Sequence, residues 1–307
     1  MADPPAEPVR RSPPVVGAAL LHAGAVAGCI AAWIYGLWPI SVLLWGLIAW
    51  LDHAALTRLH EAAHGTLARP RWVNEALGMV IGTASLTPLA VYRHVHHRHH
   101  AHLADPDDPE FWPYNLPRAP RAVRLLYAWL ELTIGWIFTP LLYSVRTAAD
   151  WQQLKPRRRR GLLLEWALMV GFWSALVWLV IAQGWWALFV VGHLVPAWLA
   201  GTMQTIRKFT EHLGLGGETI LAMTRTVVYR GALGKAASAS QLHVEHHGAH
   251  HRRARIPWHE LPQRTQQVYQ MGSEGPLFAT HWAAIRDMLP HLLDPKVGPQ
   301  WPELRRN

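Results

Sequence analysis

The amino-acid sequence predicts an all-α, polytopic membrane protein with four transmembrane helices in two hairpins and a cytoplasmic histidine-rich helical cap. Three observations lead there. Of 307 residues, 51% are hydrophobic and only 16% are Asp, Glu, Lys or Arg, against roughly 25% charged in an ordinary soluble domain. Eighteen Trp suit a water-lipid boundary better than a solvated surface. Four stretches approach the ~20 apolar residues that a spanning helix needs, and basic residues gather between and after them. The single Cys, Cys29, excludes a disulfide framework and any thiolate-rich zinc or iron-sulfur site.

Residues 1–14 contain five Pro and read as a disordered N-terminus. Residues 15–35 and 37–51 carry no Asp, Glu, Lys or Arg and form the first expected hairpin, the second stretch continuing toward Ala55 past Asp52. Arg10 and Arg11 ahead of it favour an uncleaved first helix with its N-terminus inside over a signal peptide. Residues 162–181 and 184–203 form the second hairpin, turning at Gln183.

The interval 146–160 has six basic residues against Asp150 alone, and 204–307 has thirteen basic against eight acidic. Both are expected on the cytoplasmic side, so the net charge of +9 is explained without a nucleic-acid partner. Residues 73–92, with Asn74, Glu75 and Pro88, and residues 125–145, with Glu131 and Pro140, are expected to lie along the inner face rather than cross. The run 105–120, rich in Pro and Asp, reads as a structured loop. The resulting organisation is a membrane domain over 15–265 and a cytoplasmic C-terminal tail over 266–307.

Twenty histidines are present, and their spacing carries more than their number. His60 and His64 are four apart, so a helix points both imidazoles to one face. Taken alone, such a pair also serves as a helix cap or packs at an interface. Between 94 and 102 six of nine residues are His, and His96, His99 and His100 fall within one turn. Burying that many imidazoles without partners would be costly, so metal binding is the reading that employs them; His94, His97 and His102 are expected outside the ligand set. A third cluster, 241–251, is ambiguous by one step: His243, His246 and His247 have the same spacing as His247, His250 and His251. Eight or more neutral imidazoles exceed what one zinc uses and suit two divalent ions. Two irons would also supply electrons for dioxygen. A membrane metal transporter is the competing class; it should place ionisable ligands along a crossing path, whereas these clusters lie outside the four expected spans.

HEAAH at 60–64, HHRHH at 96–100 and HVEHH at 243–247 together resemble the histidine boxes of the membrane fatty acid desaturase and hydroxylase superfamily, with the look of its bacterial members. The resemblance covers about residues 17–265. It implies a non-haem di-iron centre of two iron ions and oxygen-dependent desaturation of a long-chain fatty acyl lipid, with hydroxylation of an acyl chain, alkane or carotenoid as the alternative outcome. It selects His243, His246 and His247 as the late box, because the proline-containing stretch 254–262 follows, and leaves His250 and His251 as spares. It also adds His212, within RKFTEHLG at 207–214. The implied ligands are therefore His60, His64, His96, His99, His100, His212, His243, His246 and His247, with Glu61, Glu211, Glu245 and His97 around them.

One departure is Lys208, where animal acyl-CoA desaturases carry an Asn four residues before the equivalent histidine. Arg93, Arg98, Arg207 and Lys208 are candidates for an acidic head group or for retention of the chain inside. With no haem motif or nicotinamide fingerprint in the sequence, the resemblance implies an external electron donor such as ferredoxin, rubredoxin or cytochrome with its reductase. It further implies a lipid or acyl-carrier substrate, no nucleic acid, and a bacterial inner-membrane location with the active site on the cytoplasmic side.

Overall fold

The computed structural model describes residues 15–270 and 274–305; the segment 1–14, expected to be disordered, lies outside the described residues. Helices α1 (Val15–Ile34) and α2 (Trp38–His64) are joined by a tight turn in which Gly36 takes φ +71°. The next two helices, α3 (Arg71–Ala84) and α4 (Leu89–Ala101), meet at a bend of 100°. Two long helices follow, α5 (Arg121–Ala149) and α6 (Pro156–Ala182). The short α7 (Trp186–Phe189) runs through a π turn at Val190–Leu194 into α8 (Val195–His212). Pro196 accounts for that turn: it lacks an N–H and its ring crowds the carbonyl four residues back, so the helix widens ahead of it. The last third holds α9 (Ala232–Ser240), α10 (His247–Arg252), α11 (Leu261–Gln270) and α12 (His281–Met288). Two short strands, β1 (Thr226–Val227) and β2 (Leu277–Phe278), pair in parallel and tie that region together.

Large apolar side chains face outward along the long helices, with Leu20, Leu43, Trp178 and Ile181 among the most exposed. That pattern fits a hydrocarbon surrounding, and the chain is an integral membrane protein. The expected count of four long apolar helices is corrected to five by length and composition. Among the described residues five helices are long and apolar enough to cross: Val15–Ile34, Trp38–His64, Arg121–Ala149, Pro156–Ala182 and Trp186–His212. The fifth is α5, whose Glu131 and Pro140 argued against spanning. Glu131 is fully buried, where it pairs with Lys208 and accepts from Tyr114 Oη at 2.8 Å. The outer side stays apolar, with Leu126, Trp129, Leu141 and Val145 all exposed.

The backbone of α5 is also satisfied where it breaks. Ile134 leaves helical geometry at φ −130° and ψ 25°. The carbonyls of Glu131, Leu132 and Thr133 then accept from Thr205 Oγ1 at 2.8 Å, Thr202 Oγ1 at 3.2 Å and Trp198 Nε1 at 2.6 Å, all on α8. A kink in lipid persists only with such replacement donors. The two helices approach closely at Gly201, where an added Cβ would lie 2.5 Å from Trp136 Cβ.

A separate histidine cap is likewise corrected. The clustered histidines lie on the final turns of α2 and α8, on α4 and on α10, so the long helices themselves build the site. The end of α2 is held by Gly65, in the left-handed region at φ +75°. Its last carbonyls are capped from other elements: Asn74 Nδ2 donates to Ala62 O at 3.0 Å, Arg93 Nη2 to Ala62 O at 2.9 Å and Arg93 Nε to Ala63 O at 3.0 Å. Glu75 orders Arg93 by accepting from Nη1 at 2.8 Å. The polar residues that interrupted the apolar stretch 73–92 thus clamp α2, α3 and α4 together.

The bend between α3 and α4 aims the histidines of α4 at those of α2, and it depends on Gly82. A Cβ there would meet Thr87 O at 2.6 Å and Leu89 N at 2.9 Å, both backbone atoms. Gly82→Val should therefore open the bend, costing about 1–3 kcal/mol as overpacking. The expected result is a lower thermal midpoint in detergent together with reduced iron content in the purified variant.

Candidate metal centre

Two groups of clustered imidazoles, most of them buried, face each other at the ends of these helices. His60, His64, His96, His100 and His250 form one, and His99, His212, His247 and His251 the other; within each group the ligating atoms lie within 4.8 Å of one another. In the first, Nε2 of His96 is 3.0 Å from Nε2 of His64 and 3.1 Å from that of His100, which is 3.1 Å from that of His250. In the second, Nε2 of His247 lies 2.7 Å from that of His212 and 3.0 Å from that of His251. Helical spacing explains the division: His96 and His100 are four apart and share a face, while His99 is turned toward α8 and α10.

The outer nitrogens show what these contacts require. His96 Nδ1 donates to Glu110 at 3.1 Å, His99 Nδ1 to Asp108 at 2.8 Å and His212 Nδ1 to Met223 O at 2.8 Å. A neutral imidazole has one N–H, so in His96 and His212 Nε2 is left as a bare acceptor, while at His99 the effect of burial is outweighed by the carboxylates of Asp108 and Glu110, which raise its pKa to about 9. His212 Nε2 then faces another ring nitrogen, and His60 Nε2 is buried with no partner at all. Inward lone pairs about 3 Å apart are what an ion bound at roughly 2.1 Å by donors at right angles would need. The donor set and its orientation fit two divalent metal ions, with the carboxylates holding ring orientation as they do around metal-bound histidines. Burial holds His247, His250 and His251 well below the ordinary imidazole range, in the neutral form that binds metal.

Of the nine histidines selected at the sequence level, seven lie in these two groups: His60, His64, His96, His99, His100, His212 and His247. His243 and His246 lie apart, in a third group with Glu245, and His250 and His251 occupy the remaining two positions. The reason is local. Helix α10 begins at His247, so only His247, His250 and His251 share one helical face, whereas His243 and His246 precede it in a non-helical turn. Among the other residues singled out, Glu61 accepts from His60 Nδ1 at 3.3 Å and Glu211 lies 3.5 Å from His247 Nδ1. His97 donates to Ala63 O at 3.1 Å and caps α2 instead.

Asp108 and Glu110 went unassigned in the sequence. They stand in the Pro- and Asp-rich loop that follows the second histidine box, with no local signal that links them to His96 and His99. The four cations near the boxes are all paired: Arg93 with Glu75, Arg98 with Asp150, Arg207 with Glu211 and Lys208 with Glu131.

Fold and site together define a membrane-embedded oxidoreductase built around a dinuclear, histidine-ligated metal centre. Residues 37–282 match the fatty acid desaturase family, well over half the chain, and the protein belongs to that family. No curated protein matches it significantly. As a member it is a di-iron enzyme whose site suits oxygen-dependent oxidation of a fatty acyl chain, and it requires a lipid substrate and an external electron donor.

Two outcomes test this arrangement. Asp108→Ala frees the outer nitrogen of His99 and should weaken iron binding by about 10–100-fold, read by metal retention under graded chelator. Lys208→Met leaves the fully buried Glu131 without its cation and should destabilise the fold by roughly 3–5 kcal/mol. The double variant Lys208→Met/Glu131→Leu should recover most of that loss in detergent unfolding curves.

Proposed function

We propose that the protein inserts a double bond into a long-chain fatty acyl lipid, using dioxygen and two externally supplied electrons, at the cytoplasmic face of a bacterial inner membrane. The observation that carries the reading is the pairing of a five-histidine and a four-histidine group at the end of long apolar helices. In this reading the ligands are His60, His64, His96, His100 and His250 for one iron, and His99, His212, His247 and His251 for the other.

When bound, the irons supply the dioxygen activation that cleavage of an unactivated C–H bond requires. The chain's own residues prepare the place. Asp108, Glu110 and the Met223 carbonyl fix ring orientation, so the inward nitrogens are set before metal or substrate arrives. Tyr92 stacks on His96 at 5.1 Å and closes one wall. Between the two groups lies a cavity of about 10 Å³, room for one water-sized molecule. Gln204, whose Oε1 is buried without a partner, lines it and can accept a hydrogen bond from a small molecule held there. The buried surroundings exclude bulk water, which protects a reactive site from side reactions.

The distribution of charge supports this side of the membrane. Asp150, at the end of α5, accepts from His94 at 2.9 Å and pairs with Arg98, which puts the adjoining basic interval 155–160 at the histidine end of the molecule. Arg157, Arg158 and Arg160 there are exposed. The positive-inside rule favours this end in the cytoplasm, and the same basic surface suits an acidic ferredoxin, rubredoxin or cytochrome.

Reconstitution with reductase, electron carrier and acyl lipids should give oxygen uptake coupled to an unsaturated product, identified by mass spectrometry. Hydroxylated products alone would contradict desaturation. For topology, Gln152→Cys in a Cys29→Ser background should resist an impermeant thiol reagent in intact cells and react after permeabilisation; labelling from outside would contradict the proposed side.

A further inference from the structure

Three ligand-type side chains take no part in the two histidine groups. His243, Glu245 and His246 bring one donor atom each to within 4.8 Å of one another. Glu245 and His246 are buried, at 3% and 5% exposure. His246 Nδ1 bonds to Thr265 Oγ1 at 3.0 Å, which leaves Nε2 free on the side of Glu245, 3.8 Å from Oε1. Ser238 Oγ contacts both His243 Nδ1, at 2.5 Å, and Glu245. Trp258 stacks on His243 with ring centroids 5.8 Å apart. In the same turn the indole Nε1 of Trp258 and the Nδ1 of His259 are buried without hydrogen-bond partners.

The backbone points the same way. Leu242 and His243 both sit in the left-handed region at φ +55°, a conformation that side chains other than glycine rarely take twice in succession. Residues held in such conformations persist where their surroundings over-determine them. Here the turn leads directly into His247, the first residue of α10.

We propose that His243, Glu245 and His246 form a third, mononuclear site for a divalent transition-metal ion, on the turn that precedes α10. Two imidazoles and one carboxylate, with no thiolate, suit zinc, iron or cobalt and leave further coordination positions for water. Hydroxyls at Ser238 and Thr265 restrain the ring and carboxylate orientations, as partners around metal ligands do. The site is structural: it does not share a donor with either histidine group.

Cobalt(II) is the probe, because its d–d absorption reports coordination independently of turnover. Iron-replete full-length protein in detergent should bind one further equivalent of Co²⁺ with new visible bands, for three metals per chain by mass spectrometry, and its thermal midpoint should rise. His243→Ala/His246→Ala should keep its two irons and lose the cobalt bands, while Glu245→Gln should bind Co²⁺ at least tenfold more weakly. Loss of iron with the cobalt in the double variant would place these histidines in the dinuclear centre and overturn the proposal. Should the variants fail to fold, the wild-type protein decides. An anomalous peak at the cobalt edge between His243 and His246 supports the site; two metals only, or a cobalt peak elsewhere, overturns it.

Discussion

Nine clustered imidazoles in two groups, seven of them buried and with neighbouring ring nitrogens as close as about 3 Å, are the constraint on which the rest of the structure depends. Unpaired polar atoms in a protein interior are costly, and lone pairs aimed at one another are worse still. A bound cation in each group would satisfy these inward nitrogens together. Everything near it serves to hold the rings in register: carboxylates on the outer nitrogens of His96 and His99, a backbone carbonyl on that of His212, and a bend and a cap that bring α4 against the end of α2. The final turns of α2 and α8 are polar for this reason, although both helices are otherwise apolar enough to cross a bilayer.

The same logic governs charge inside the membrane-embedded part. Lys208 and Glu131 are a buried pair on neighbouring long helices, with Tyr114 completing the carboxylate's partners. Hydroxyls and an indole of α8 occupy the carbonyls freed at the break in α5. The pair and these donors join α5 to the helix that ends at His212. Packing of the long helices and geometry of the metal centre are therefore one problem: a slip of α8 against α5 would move His212.

Much of this was legible in the sequence wherever the signal was local. Spacing of four placed His60 with His64 and His96 with His100 on common faces, and the apolar stretches marked α1, α2, α6 and the α7–α8 segment. What was not legible depended on distant partners or on where a helix begins. Glu131 and Pro140 counted against a fifth long apolar helix because Lys208, which neutralises the glutamate, lies 77 residues away. The late histidine run fits the same spacing in two registers, and the start of α10 at His247, which no periodicity within the run specifies, separates His250 and His251 from His243 and His246. Asp108 and Glu110 read as turn formers, since a loop carboxylate gives no local sign of the ring it will hold.

Diffraction from crystals of the iron-loaded protein, collected on both sides of the iron absorption edge, locates both ions directly. Anomalous density is expected in each group, one peak among His60, His64, His96, His100 and His250 and another among His99, His212, His247 and His251. Iron density missing from either group would contradict a dinuclear centre.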